Sequence, residues 1–62
     1  MSAQFEAHLR ELAEIADLAQ RDPQEALDRS LIIKFQPGAR ELHVAVVLYC
    51  QFQLRIRQEI EE

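Results

Sequence analysis

The side chains that could do chemistry in this 62-residue chain are few and well separated. His8 and Glu11 are three residues apart, a spacing that places both on one face of a helix, where they could share a metal ion. A zinc site needs three or four ligands, and the sequence signals no third. We therefore interpret His8 as a boundary histidine and Glu11 as a solvated carboxylate, and we expect no metal and no cofactor.

Three further residues could take part in catalysis. The one cysteine, Cys50, ends the apolar run of residues 44–50, whereas a nucleophilic cysteine needs a base and an electropositive setting. We expect a buried, inert thiol. His43 is expected at the surface, and Ser30 lacks the glycine-rich turn of a serine nucleophile. A short chain with one glycine is also poorly suited to forming a catalytic pocket, so we expect no enzyme and no small-molecule substrate.

Composition narrows the class of protein further. Seven basic and eleven acidic residues give a net charge of −4, which counts against the basic stripe of a nucleic-acid binder. A hydrophobic content of 48% argues against a disordered tail. The longest apolar run, residues 44–50, is far shorter than the ~20 residues of a membrane-spanning helix. A lone thiol and no secretory signal at the start predict a cytoplasmic location.

Pro23, Pro37 and Gly38 divide the chain into three segments. The first, about residues 2–21, is a predicted amphipathic helix, because its apolar side chains fall within one arc of about 120°. The second, about residues 23–35, begins with the helix-start signal DPQE, in which an aspartate caps and a glutamate follows at the third helical position. The alternative for its end is a short strand, LIIKF.

The third segment follows the Pro-Gly break at residues 36–38 and is predicted as a helix over about 39–60. Residues 51–57 alternate between apolar and polar, which is typical of a strand. A helix is favoured because it places apolar side chains of the whole span 42–60 in one arc of about 120°. More apolar residues lie outside that arc, so the stretch 44–54 is apolar nearly all round and should be covered on several sides.

These patterns predict an all-α fold in a single domain, residues 1–62, with two short helices packed on a longer C-terminal helix. A chain this short buries too little surface for much stability of its own, so we expect oligomerisation or a partner to complete the fold. The predicted intrachain core is Phe5, Leu9, Leu12, Ile15, Leu27, Leu31, Leu42, Val46, Tyr49, Phe52 and Ile56. The predicted interface with a second copy or another protein is Val44, Val47, Leu48, Cys50 and Leu54.

Two stretches resemble a known family. Residues 5–15, FEAHLRELAEI, and residues 23–27, PQEAL, resemble the small subunit of bacterial exodeoxyribonuclease VII, which opens with F-E-x-x-L-x-x-L-x-x-I and starts a second helix near P-x-E-x-A-L. The resemblance implies a helical accessory subunit of a nuclease.

The function that the sequence favours is that of a non-catalytic protein–protein interaction module, such as a small co-chaperone, accessory subunit or inhibitor, that uses its C-terminal helix as the interface. No membrane is expected as a partner. The alternative is a dimeric regulator associated with nucleic acid, or the nuclease subunit. Salt dependence separates the two classes, since affinity for nucleic acid falls steeply with salt and an apolar helix interface should not weaken in that way.

Overall fold

The structure, a computed structural model, describes residues 3–61, and side chains for residues 3–60. It contains three helices: α1 (Ala3–Ala19), α2 (Pro23–Ile32) and α3 (Arg40–Glu61). These make the described part of the chain 83% helical, without a strand. The predicted all-α, three-helix fold is therefore confirmed, and none of the helices is both long and apolar enough to cross a membrane.

The three helices run up, down and up. At one end of the molecule His8 of α1 lies beside His43 of α3, and at the other end Arg57 of α3 reaches the carbonyl of Gln20, just after α1. The first and third helices therefore run in the same direction. Ser30, near the end of α2, is bonded to His43 near the start of α3, so α2 runs opposite to both.

The core is built from side chains at helical spacing. Residues 8, 12, 15 and 19 of α1 and residues 43, 46 and 50 of α3 point inward, while α2 contributes residues 23, 26 and 30. One buried hydrophobic cluster comprises Leu12, Ile15, Ala19, Ala26, Val46 and Cys50. The inward side of α2 is thus proline, alanine and serine, and such short side chains allow helix axes to approach closely.

The start of α2 follows the sequence signal. The side chain of Asp22 caps the helix by accepting a hydrogen bond of 3.2 Å from the backbone N–H of Glu25, as expected for an N-cap residue. Pro23 occupies the first turn, where the missing N–H of proline costs no hydrogen bond.

The end of α2 was predicted about three residues too late, since Ile33 is already extended, with φ −75° and ψ 145°. The cause is tertiary. A continuing helix would bond the carbonyl of Ser30 to the N–H of Lys34, but that carbonyl instead accepts a hydrogen bond of 2.7 Å from His43 Nε2. A side chain of α3 therefore takes the acceptor that another turn of helix would use.

The chain then reverses through a type II turn. The N–H of Ala39 donates to the carbonyl of Gln36 at 3.0 Å, with Pro37 and Gly38 as the two central residues. Gly38 has φ +86°, the value that this turn requires at its second central position and that glycine adopts without strain. A Cβ at this position would also lie 3.4 Å from the ring of Phe5.

The first helix ends two residues earlier than predicted. The carbonyl of Leu18 accepts hydrogen bonds from the N–H groups of both Arg21 and Asp22, at 2.9 and 2.7 Å, which tightens and closes the last turn. At the other end of α1, residue 2 of the predicted helix lies outside the described residues.

Candidate interaction surface

The third helix has two apolar faces, and the fold buries one of them more completely than the other. The inward face carries His43, Val46 and Cys50. A second apolar face carries Leu42, Ala45, Tyr49, Phe52 and Ile56, which we call the outer stripe. At 100° per residue the centres of the two faces lie about 110° apart around the helix. Because α1 and α2 pack on the inward face, the outer stripe lies to one side of their contact with α3.

The outer stripe is exposed over much of its length. Leu42 and Phe52 keep 48% and 59% of their surface accessible, Ala45 is exposed, and Tyr49 and Ile56 are half-buried. Successive members are three, four, three and four residues apart, which is the heptad spacing of helices that pack along one another in coiled coils. Exposed apolar surface of this continuity is typical of interaction sites.

Three residues predicted in the core are at the surface: Leu31, Leu42 and Phe52. For Leu42 and Phe52 the prediction was wrong because it chose the face of α3 with the largest side chains. Leu31 follows the buried Ser30 of α2 by one position and so points about 100° away from it. The inward side of α2 is made of Ala26 and Ser30, and α3 meets it with Val46 and Cys50 rather than with aromatic rings.

The other predicted core residues are buried or half-buried. Leu12, Ile15 and Val46 are buried. Five are half-buried: Phe5, Leu9, Leu27, Tyr49 and Ile56. Of these, Leu27 and Tyr49 pack against the buried cluster, so Tyr49 is the member of the outer stripe that also contacts the core.

The residues of the predicted interface differ in how far the fold buries them. Val44 and Leu48 are exposed, while Val47 and Leu54 are half-buried. Cys50 is fully buried among residues of its own chain, so its assignment to the interface was wrong. It lies four residues after Val46, on the side that faces α1 and α2. Burial also raises the pKa of the Cys50 thiol, which keeps it protonated and weakly nucleophilic.

Both histidines are buried, although His8 was predicted at a boundary and His43 at the surface. Their ring centroids are 5.3 Å apart. His43 Nε2 donates to the carbonyl of Ser30, which fixes its tautomer because a carbonyl only accepts. His8 Nε2 and His43 Nδ1 have no hydrogen-bonding partner among the described residues. The missed signal for His43 was its spacing, three residues before Val46 on the inward face.

A second group of exposed apolar side chains lies at the end of α2 and just after it. Leu31, Ile32 and Phe35 keep more than half of their surface accessible. The ring of Phe35 contacts His43, with centroids 4.3 Å apart, and the guanidinium of Arg40 lies 5.5 Å above the Phe35 ring. Phe35 therefore covers the ring of His43 on the side of the loop between α2 and α3, and so contributes to packing within its own chain.

The polar residues do not form a comparable site. His8 and Glu11 border an open groove that is also lined by Lys34 and Gln36. Within residues 3–61, no three His, Cys, Asp or Glu side chains come close enough to hold a metal ion together. The apolar surface of α3 is thus the most developed candidate site.

Each arginine of α3 makes a contact within its own chain. Arg57 donates to the carbonyl of Gln20 at 2.8 Å, and Arg55 lies 3.5 Å from Glu59 across one turn of the helix. Arg40 stacks over Phe35, as described above. At 100° per residue the three positions point in different directions around the helix, so they do not form the continuous basic track that phosphate backbones need.

Comparison with known proteins returns no family model, no curated protein and no solved structure that matches this chain. The resemblance to the exodeoxyribonuclease VII small subunit therefore rests on the quoted residues alone.

Proposed function

We propose that this protein is a non-catalytic protein–protein interaction module that binds a helical partner along the outer stripe of α3. A small co-chaperone, an accessory subunit and an inhibitor all work by this kind of docking. The lone, buried thiol of Cys50 suits a reducing cytoplasmic setting, and we propose that location for it.

One observation supports the proposal above the others. The three helices complete a core without Leu42 and Phe52, yet these two large apolar side chains lie on the heptad spacing of a helix-packing surface. Scattered exposed apolar residues are normal in any protein. A stripe of five at regular spacing, spanning four turns of helix, is the arrangement that a partner helix would cover.

The alternative class, a regulator associated with nucleic acid, receives less support from the same surface. The net charge is −4, and the arginines of α3 make contacts within their own chain. Binding that loses affinity steeply between low and moderate salt would favour the alternative. Binding that is insensitive to salt would favour the apolar interface.

A photo-crosslinking experiment tests the proposed function. Phe52 is replaced by the photoreactive amino acid benzoylphenylalanine in the cells that make the protein, and Gln51 is replaced in a matched control. Both positions are exposed on α3, but Gln51 points about 100° away from Phe52. We expect a covalent adduct with a defined protein from position 52 only, identified by mass spectrometry. Equal adducts from both positions, or none from position 52, would contradict the proposal.

A further inference from the structure

We propose that the partner of the outer stripe is a second copy of this chain, with the two α3 helices antiparallel and related by a two-fold axis beside Leu48. This inference rests on the proposed function and names its partner. It follows from two properties of the stripe that are self-complementary, namely the order of its side-chain sizes and the order of the charges along its edge.

The side-chain sizes match when the two helices run in opposite directions. With the axis beside Leu48, Leu42 lies opposite Phe52 of the second copy, and Ala45 lies opposite Tyr49 of the second copy. Each of these layers occurs twice, once on either side of the axis. The small Ala45 side chain thus packs against the large ring of Tyr49. Leu48, which is 57% exposed, lies next to Leu48 of the second copy at the two-fold axis.

The charges on the edge of the stripe agree with the same register. Glu41 and Arg55 each precede a member of the stripe by one position, so they lie on the same edge of α3. They are about 21 Å apart along the helix and cannot pair within one chain. The antiparallel register places Glu41 beside Arg55 of the second copy, and Arg55 beside Glu41 of the second copy, giving two ion pairs per dimer.

The ion pair that Arg55 makes within its own helix does not prevent this. Its partner Glu59 is 3.5 Å away, and both side chains are at least 70% exposed. Exposed pairs of this kind stabilise a protein little, so Arg55 can turn to Glu41 of the second copy at small cost.

A parallel pairing is disfavoured by the same residues. Glu59 continues the heptad spacing three residues after Ile56, so a parallel dimer would oppose the two Glu59 carboxylates. It would also set Ala45 against Ala45, leaving a gap beside the large Tyr49 layer. In the antiparallel register Glu59 falls opposite residue 35, which precedes α3, and lies outside the contact.

The apolar layers extend over residues 42–52 of each helix, or ~15 Å, and Glu41 and Arg55 flank them. In this register Ile56 falls opposite residue 38, which precedes α3, and lies outside the contact. An interface of this length lies at the small end of specific protein interfaces. The dimer is therefore reversible, and sedimentation across a concentration series should show monomer and dimer exchanging.

Charge reversal tests both the partner and the direction. Glu41→Arg and Arg55→Glu each replace two attractive pairs by two repulsive ones, and each should weaken the dimer by about tenfold. The double variant E41R/R55E exchanges the charges and should restore the wild-type dissociation constant. Because the two positions are too far apart to interact within a chain, restoration requires contact between copies. Both lie on the exposed surface of α3, so circular dichroism should show unchanged helicity.

Two controls sharpen the result. Glu59→Gln removes the ion pair within the helix and should leave the dissociation constant unchanged. An equimolar mixture of the two single variants should form heterodimers more tightly than either variant forms homodimers.

A dimer that both single reversals weaken and the double variant does not restore would overturn the antiparallel arrangement. A wild-type chain that stays monomeric at every concentration would overturn self-association. If the chain stays monomeric but position 52 forms adducts with a different protein, the proposed function stands and only self-association is overturned. If position 52 forms no adduct, the proposed function is overturned as well.

Discussion

At the scale of single residues, the two histidines contribute to the packing of the fold. His43 ties α3 to the end of α2, and His8 packs beside it. The burial of Cys50 was predictable from its apolar neighbours. The inward position of His43 was readable from its spacing before Val46, but its hydrogen bond to the carbonyl of Ser30, 13 positions away, is encoded by no local pattern.

The thiol of Cys50 gives a prediction about pH. Burial raises its pKa in the folded protein, whereas in the unfolded chain it should titrate near ~8.5. Above that pH the unfolded chain releases the proton that the folded chain retains, so the Cys50 contribution to stability should fall as pH rises from neutral into the alkaline range. Urea unfolding at a series of pH values measures the slope.

The control for this effect is Cys50→Ala, which lacks the titrating group and should show a shallower alkaline loss of stability. Iodoacetamide should label Cys50 in the native protein far more slowly than in urea. Equal rates of labelling in the two states would show that the thiol is accessible in the fold.

At the scale of elements, the sequence predicted three helices and the start of α2, because a cap residue, a proline and a glutamate act locally. The end of α2 could not be predicted in the same way. It is set by competition for one carbonyl between the next N–H of the helix and a side chain from α3. Boundaries fixed by local chemistry were predictable from the sequence, and the boundary fixed by a tertiary contact was not.

The variant His43→Ala tests this role of the histidine. It removes the donor to the carbonyl of Ser30 and the ring against which Phe35 packs, and it opens a cavity in the core. We expect a loss of about 2–4 kcal/mol in the free energy of unfolding, measured by urea denaturation. Lys34→Ala, an exposed change close by, should cost less than about 0.5 kcal/mol. A similar small effect for both variants would show that His43 does not hold the end of α2.

At the scale of the whole molecule, the main feature is a long helix with two apolar faces in a chain with only two other helices. The sequence predicted that α3 is apolar on more than one side, but the face centred on Tyr49 that it assigned to the core is not the one that faces inward. Counting apolar residues favours the face with Tyr49 and Phe52, whereas the short inward side chains of α2 favour Val46 and Cys50. The choice depends on how closely the helices pack, which a helical wheel does not represent.

The most direct test compares one charge on each face of α3. Val46 is buried and Phe52 is largely exposed. A domain of this size has a stability of roughly 3–9 kcal/mol, and a buried unpaired charge costs about 3–5 kcal/mol. The measurement is urea unfolding followed by circular dichroism, at a protein concentration too low for association. Val46→Asp should unfold the chain or nearly so, while Phe52→Asp should keep its helicity and lose less than about 1 kcal/mol. If Phe52→Asp unfolds the chain as Val46→Asp does, the outer stripe belongs to the core of the fold and is not a free binding surface.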